Sequence, residues 1–379
     1  MTSLAAGLAI AALGLFVWSY AVYPLWIRRR AARLPGGGET PGSGSASVEV
    51  ILSAADEESV IGARVHDLLA QAPVQRISIG CDGCRDATAA RAREAAGSDP
   101  RVRVVEFGQR RGKAAVLNDL VREATADVLV FTDANTRFAP GAVAALVAAC
   151  GRPDVGAACG RLIVERPERA RETPEGDFWD RETRLKEDEG RLGICVGANG
   201  AIYAIRRELA TVLPEDTTSM DDFLMPVRVA RAGWKIVFAG EAVAREDAAR
   251  DVAAEASRRF RIGIGAGQVL RRERWLLNPA AHPVLTLAYL SRKAARWLAP
   301  LLVLLAAAAA TGAPAVRVWG AAVLALAFGV LAGSLARPRL RGILGKLYYF
   351  AVLNVALALG VAAGLLGYSR PVWTRTARS

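Results

Sequence analysis

VEVILSAADEE, residues 48–58, joins a short β-rich run to a polar turn ending on three consecutive carboxylates, and its reading decides the fold. Val48–Leu52 reads as a strand and Glu57–Gln71 as a helix. The same alternation continues downstream: Val74–Ile79 strand, Asp86–Ala96 helix, Arg101–Phe107 strand, Lys113–Ala124 helix and Val128–Thr132 strand. Short β-branched runs alternating with Ala-rich helical stretches predict an α/β domain with a mixed, mostly parallel sheet. In such sheets ligands bind beyond the carboxyl ends of the strands.

Those ends are acidic. The first strand runs into Ser53-Ala54-Ala55-Asp56-Glu57-Glu58, the second into Cys81-Asp82-Gly83-Cys84-Arg85-Asp86, and the fourth into Asp133-Ala134-Asn135. Helix N-capping, a favoured use of Asp, explains any one of them. Three together on one sheet edge fit better a crevice in which a cation or hydrogen-bond donors offset the like charges.

Upstream, residues 35–47 (PGGGETPGSGSAS) form a linker too poor in apolar residues to fold. Before it, Leu4–Ile27 is 24 residues without a charge, and about 20 suffice for a helix to cross a hydrocarbon core. Residues 1–34 are therefore read as a membrane anchor. Three further apolar runs, Trp297–Gly312, Val318–Ala336 and Leu347–Tyr368, follow the α/β region, with residues 282–296 read as an interfacial helix. This divides the chain into an anchor (1–34), a linker (35–47), the α/β domain (48–273) and a C-terminal membrane region (274–379).

The charge supports the division. The chain has 49 Lys and Arg against 37 Asp and Glu, a net +12 that by itself points to nucleic acid or an anionic membrane. Sixteen of the basic residues and none of the acidic ones lie before Glu39 or after Glu273, which leaves 33 basic against 37 acidic between. The excess positive charge flanks the apolar runs, so nucleic acid is not expected as a partner. Arg28, Arg29, Arg30 and Arg33 place that flank in the cytoplasm by the positive-inside rule.

These motifs, in this order, resemble the membrane-integrated enzymes of glycosyltransferase family 2, whose catalytic domain has the GT-A fold; the resemblance spans roughly Val48–Pro300. Val48–Glu58 is similar to the family's opening strand and Asn-Glu-Glu turn, with Asp56 in the Asn place, and implies donor contacts from Ser53 and Glu57. Cys81–Thr88 resembles the Asp-Asp-Gly segment, making Asp82 the partner of a uracil N3–H. Gly112-Lys113 with Asn118 matches a Gly-Lys-x(4)-Asn helix start, where a helix N-terminus plus Lys113 suits a phosphate. Asp133-Ala134-Asn135 stands at the Asp-x-Asp metal motif. The resemblance implies Mg²⁺ or Mn²⁺ on Asp133 and Asn135, which has one charge fewer than the family's second Asp.

Beyond the α/β repeat, Val196–Arg207 resembles the strand under the acceptor site and implies acceptor contacts from Gly197, Asn199 and Gly200. Glycines relieving crowding in a sheet are the plainer reading. Ser219-Met220-Asp221-Asp222 occupies the Thr-Glu-Asp place, so the resemblance carries the general-base role to Asp222 and an acceptor contact to Asp221, although both also suit a helix N-terminus. Ser257–Gly265 falls where polymer-forming relatives carry Gln-x-x-Arg-Trp. Arg261 lines up with the Arg and would face the diphosphate, while Ile262 replaces the Trp.

The expected activity is inverting transfer of a hexose or N-acetylhexosamine from a nucleotide sugar, taken as UDP-linked, to a lipid or lipid-linked glycan. The expected location is the inner membrane, with several crossings and the catalytic domain in the cytoplasm. The alternatives are a short-chain processive synthase and an inactive scaffold of the same fold. Cys81-x-x-Cys84 has no second ligand pair at metal spacing and is read as part of the nucleotide segment.

Overall fold

The computed structural model describes residues 2–34, 46–165, 174–247, 252–335 and 342–371. Residues 35–45 of the expected linker lie outside them. The chain divides into two compact units, Ile27–Ala248 with a short C-terminal stretch, and Met1–Trp26 with Ala249–Arg370.

The N-terminal helix comprises α1 (Thr2–Val17) and α2 (Tyr23–Ala32), joined without a break through a wider turn at Trp18–Val22. The α/β elements follow: β1 (Val48–Ala54), α3 (Ile61–Leu69), β2 (Arg76–Asp82), α4 (Thr88–Ala96), β3 (Val102–Phe107), α5 (Lys113–Glu123), β4 (Val128–Thr132) and β5 (Thr136–Phe138). Then come α6 (Ala142–Cys150), β6 (Val155–Glu165), α7 (Pro174–Arg191), β7 (Tyr203–Arg206), α8 (Asp221–Arg231) and β8 (Lys235–Asp247). One sheet has the order β3-β2-β1-β4-β7-β6-β8-β5. The pairs β1–β2, β1–β4, β2–β3 and β6–β8 are parallel and the others antiparallel. This is the mixed, mostly parallel sheet that the resemblance implies.

Every residue of β1 is buried, as befits a central strand covered on both faces. Its one charge, Glu49, accepts a 2.6 Å hydrogen bond from Ser78 Oγ on the neighbouring strand. The first helix starts later than the pattern suggests, at Ile61 rather than Glu57. Asp56 has a left-handed backbone (φ 56°), and the chain needs this turn to leave the sheet edge.

The other unit contains α9 (Val252–Arg272), α10 (Pro283–Ala288), α11 (Ala295–Thr311), α12 (Arg317–Leu335) and α13 (Gly342–Leu365). Among the described residues, three helices are long and apolar enough to cross a membrane: Thr2–Ala32, Pro283–Thr311 and Leu347–Leu365. Residues 282–296 do not form a separate interfacial helix: α10 and α11 are continuous through a wider turn at Tyr289–Ala294, and Pro283 starts the run, where its missing N–H costs nothing. The run expected at 318–336 is α12, within which Arg317–Ala327 forms a shorter apolar helix among the described residues. Two side-chain pairs link the first two of these helices: Trp18 Nε1 donates to Ser291 Oγ at 2.8 Å and Arg296 Nε to Ser19 Oγ at 2.9 Å.

Although the sequence places α9 with the α/β domain, it belongs to this unit, because glycines weld it to α13. A Cβ at Gly360 would lie 2.2 Å from Phe260 O, and one at Gly364 2.2 Å from Ile264 O. Facing them, a Cβ at Gly263 would lie 2.5 Å from Leu357 O and one at Gly267 2.5 Å from Val361 O. Small residues four apart on both helices let the backbones touch. Gly360→Val is therefore expected to cost about 2–3 kcal/mol and lower the melting temperature in detergent by several degrees. Gly14→Ala, with open space around position 14, should leave it unchanged. Equal melting temperatures for the two variants would refute the close contact.

Candidate active site

The carboxyl ends of β1, β2 and β4 meet the N-termini of α5 and α8. After β2, Asp82 is fully buried; its Oδ1 accepts the Arg111 N–H at 2.7 Å and its Oδ2 the Gly112 N–H at 2.9 Å. Arg110 Nε donates to the Asp82 carbonyl at 3.2 Å, and Arg110 Nη2 to Asp56 Oδ2 at 2.7 Å. Asp56 also accepts from the Arg85 N–H at 2.8 Å. Burial favours the neutral form of Asp56, but the Arg85 N–H and the Arg110 guanidinium prevail and hold it below the usual carboxylate range. Gly83 completes this knot: it has φ +53°, and a Cβ there would fall 2.4 Å from Arg110 N. Asp82 thus faces inward, shaping the loop that leads to α5. Ser53 Oγ, near the end of β1, is buried without a hydrogen-bond partner among the described residues.

Lys113, the first residue of α5, reaches Asp133 Oδ1 at 2.8 Å and Asp221 Oδ2 at 3.0 Å. Burial disfavours its charge, yet Asp133 and Asp221 raise its pKa above the ordinary lysine range. Asn118, one turn on, binds the Leu213 backbone twice, donating to its carbonyl and accepting its N–H, both at 2.8 Å. This tie between residues 95 apart in the chain holds the segment leading to Asp221 against α5. The Gly-Lys-x(4)-Asn pattern therefore has a physical basis: the Lys joins two carboxylates and the Asn fixes one of their loops.

Asp222, next along α8, accepts the Gly200 N–H on Oδ2 at 3.0 Å, and its own carbonyl accepts the Ala198 N–H at 2.8 Å. Ahead of α8, Ser219 and Met220 have φ 60° and 72°, left-handed conformations that cost about 1–3 kcal/mol each and gather at functional sites. A Cβ at position 200 would be 3.4 Å from Asp133 Oδ2 and 3.7 Å from Asp222 Oδ2, so Gly200 lies at both carboxylates and leaves the space between them open. Beneath, Tyr203 stacks on Phe131 with ring centroids 4.8 Å apart. Burial and the charges of Asp221, Asp222 and Asp133 keep its phenol protonated.

Other expected residues are placed as follows. Asn135 Nδ2 donates to Glu246 Oε1 at 3.1 Å, so its carbonyl oxygen is the end of the amide that could hold a metal. Asn199 uses both ends of its amide within the protein, accepting from Lys186 Nζ and donating to Gly160 O at 2.8 Å. Gly197 is left-handed, with φ +83°. Glu57 is buried, and its N–H donates to Thr88 Oγ1 at 2.7 Å. Arg261 lies on α9, in the other unit, where burial and the nearby Arg258 and Arg370 hold it below the ordinary arginine range. Cys81 and Cys84 are free thiols.

The donor set fits a hard divalent cation. The Asp133 and Asp221 carboxylates converge on the Lys113 ammonium, which lies between them as a cation of the protein's own. Sequence reasoning missed that bridge, Tyr203 and the buried Arg64 behind β4, because each depends on partners far away in the chain.

The profile of the glycosyltransferase-like family 2 matches residues 46–265. Among solved structures, the chain is similar to a mannosyltransferase from Pyrobaculum calidifontis in complex with GDP-Man and Mn²⁺, with a TM-score of 0.66 and 22% identity, covering 94% of this chain and 99% of that chain. It also overlaps a glucosyl-3-phosphoglycerate synthase from Mycobacterium tuberculosis in complex with Mn²⁺, UDP and phosphoglyceric acid, with a TM-score of 0.38 and 22% identity, covering 53% of this chain and 71% of that chain. Likeness at such identity bears on the fold alone. No curated protein sequence matches the chain significantly.

Proposed function

The chain belongs to the glycosyltransferase-like family 2, and from that premise we propose that it is an inverting transferase moving one sugar from a UDP-sugar to a hydroxyl of a lipid or lipid-linked glycan. The observation that carries the reading is the convergence of Asp133, Asp221 and Asp222 on Lys113 and Gly200 at the α5 and α8 N-termini. Asp133 and the Asn135 carbonyl would hold Mg²⁺ or Mn²⁺, which when bound neutralises charge on the diphosphate leaving group. The mannosyltransferase of similar fold was solved with GDP-Man and Mn²⁺, in keeping with that choice of cofactor.

In this reading Lys113 and the α5 N-terminus face the diphosphate. Asp222 takes the proton from the acceptor hydroxyl as its oxygen bonds to the anomeric carbon and the bond to the diphosphate breaks on the opposite face. Gly197, Gly200 and Asp221 border the acceptor, while Asn199 holds their loop. Ser53 and Glu57 line the donor side. Asp82 shapes the loop under the base; its direct contact with a uracil N3–H requires that loop to open, since both carboxylate oxygens are engaged inside the protein. The apolar helices anchor the enzyme in the inner membrane, and Arg28–Arg33 keep the catalytic domain on the cytoplasmic side.

The test is to incubate membranes containing the protein with labelled UDP- and GDP-sugars and extract the lipids for mass spectrometry. One UDP-sugar should yield a lipid product carrying a single added sugar. A ladder of lengths would replace single transfer by processive synthesis. No transfer, with no rise in melting temperature on adding UDP and Mn²⁺, would leave an inactive scaffold.

A further inference from the structure

Arg64, on α3, is a fully buried arginine outside the reaction chemistry described above, with 2% of its surface exposed. Its Nη2 donates to Thr132 Oγ1 at 2.6 Å, and Nη1 pairs with Asp67 on the same helix. Asp67 Oδ2 also accepts the Phe138 N–H at 3.0 Å, and the Arg64 guanidinium lies 4.1 Å from the centroid of the Phe138 ring.

These contacts bracket one short piece of chain. Thr132 immediately precedes Asp133, and Phe138 ends β5; between them lie Asp133 and Asn135, the two residues read as metal ligands. Thr132 Oγ1 in turn donates to Ala201 O at 2.7 Å, which ties the end of β4 to the residue after Gly200. One guanidinium therefore spans both ends of the segment and, through Thr132, the backbone beside Asp222's partner Gly200. Burying a charged pair is expensive relative to an apolar filler of the same size. Only a planar fork serves two directions and stacks on a ring as well; a lysine cannot.

We propose that Arg64 is a positioning residue for the cation site, aiming Asp133 and Asn135 by clamping Thr132 and, with Asp67, Phe138. This rests on the reading of Asp133 as a metal-holding residue.

The test compares Mn²⁺ binding to the full-length protein in detergent with UDP present, read by electron paramagnetic resonance of free Mn²⁺, for wild type, Arg64→Lys, Thr132→Val and Asp133→Asn. Thr132→Val breaks the link to the metal segment but leaves the Arg64–Asp67 pair in place, and so separates aim from folding. Arg64→Lys, with its melting temperature near that of wild type, should bind Mn²⁺ about tenfold more weakly, the scale seen when a group orienting a metal ligand is lost. Thr132→Val should bind it several-fold more weakly. Unchanged Mn²⁺ affinity in either folded variant would overturn the proposal. If Asp133→Asn binds Mn²⁺ like wild type, the metal reading itself fails and the positioning role with it. If Asp133→Asn loses Mn²⁺ while Arg64→Lys and Thr132→Val keep it, only the positioning role fails.

Discussion

Asp222→Asn is expected to lower sugar transfer by two to four orders of magnitude, roughly the contribution of a general base, while leaving UDP and Mn²⁺ binding intact. The asymmetry follows from the geometry. Asp222 Oδ2 accepts the Gly200 N–H at 3.0 Å, and its backbone carbonyl accepts the Ala198 N–H. An Asn side chain can keep the first bond and leaves the second untouched, so the glycine loop stays in place. The lost feature is a carboxylate oxygen able to take a proton from the acceptor. Transfer assays with a labelled donor and calorimetry with UDP decide the matter: full activity removes Asp222 from the base role, and loss of UDP binding along with transfer makes its role structural.

The second large effect concerns Lys113. Its side chain is 20% exposed and holds together Asp133 and Asp221, whose side chains are 34% and 10% exposed. Lys113→Met leaves two carboxylates facing each other without a counter-charge. Removing one partner of a buried pair costs about 3–5 kcal/mol, and partial exposure reduces that to about 2–3 kcal/mol here. The melting temperature should fall by several degrees, and Mn²⁺ should restore more stability to the variant than it adds to wild type, because the ion takes the place of the ammonium. The pH dependence follows from the direction of the shift. A lysine raised above its unfolded value contributes its full stability below that value and loses it as pH rises through the folded one. The wild type should therefore lose this contribution only in strongly alkaline solution, and the variant should show no such loss. A variant that Mn²⁺ stabilises no more than wild type would contradict a cation site among these residues.

Much of this was legible in the chain. Alternating β-rich and Ala-rich stretches placed β1 to β4 and α3 to α5 to within a few residues, since period and composition respond to burial on one face. Asp133 could be singled out because it ends a strand at the acidic edge of a parallel sheet, and Gly112-Lys113 and Asp221-Asp222 because their motifs resemble those of the family. The start of α3 could not, since Asp56 bends the chain in a left-handed turn that polar residues permit but do not announce. Nor could the continuity of α10 with α11, where a charged stretch looked interfacial.

By itself the sequence determined a carboxylate-rich α/β domain between basic, apolar ends, because charge, hydrophobic period and turn residues act locally and are written in order. Only the tertiary structure decided which carboxylates share a cation, that Asp82 turns inward to Arg111 and Gly112, that Asn199 is tied internally to Gly160, and that Arg64 grips both ends of the Asp133 segment. Each of these is a pairing between groups 20 to 108 positions apart, set by distances of about 3 Å that exist only once the sheet has brought the strands side by side.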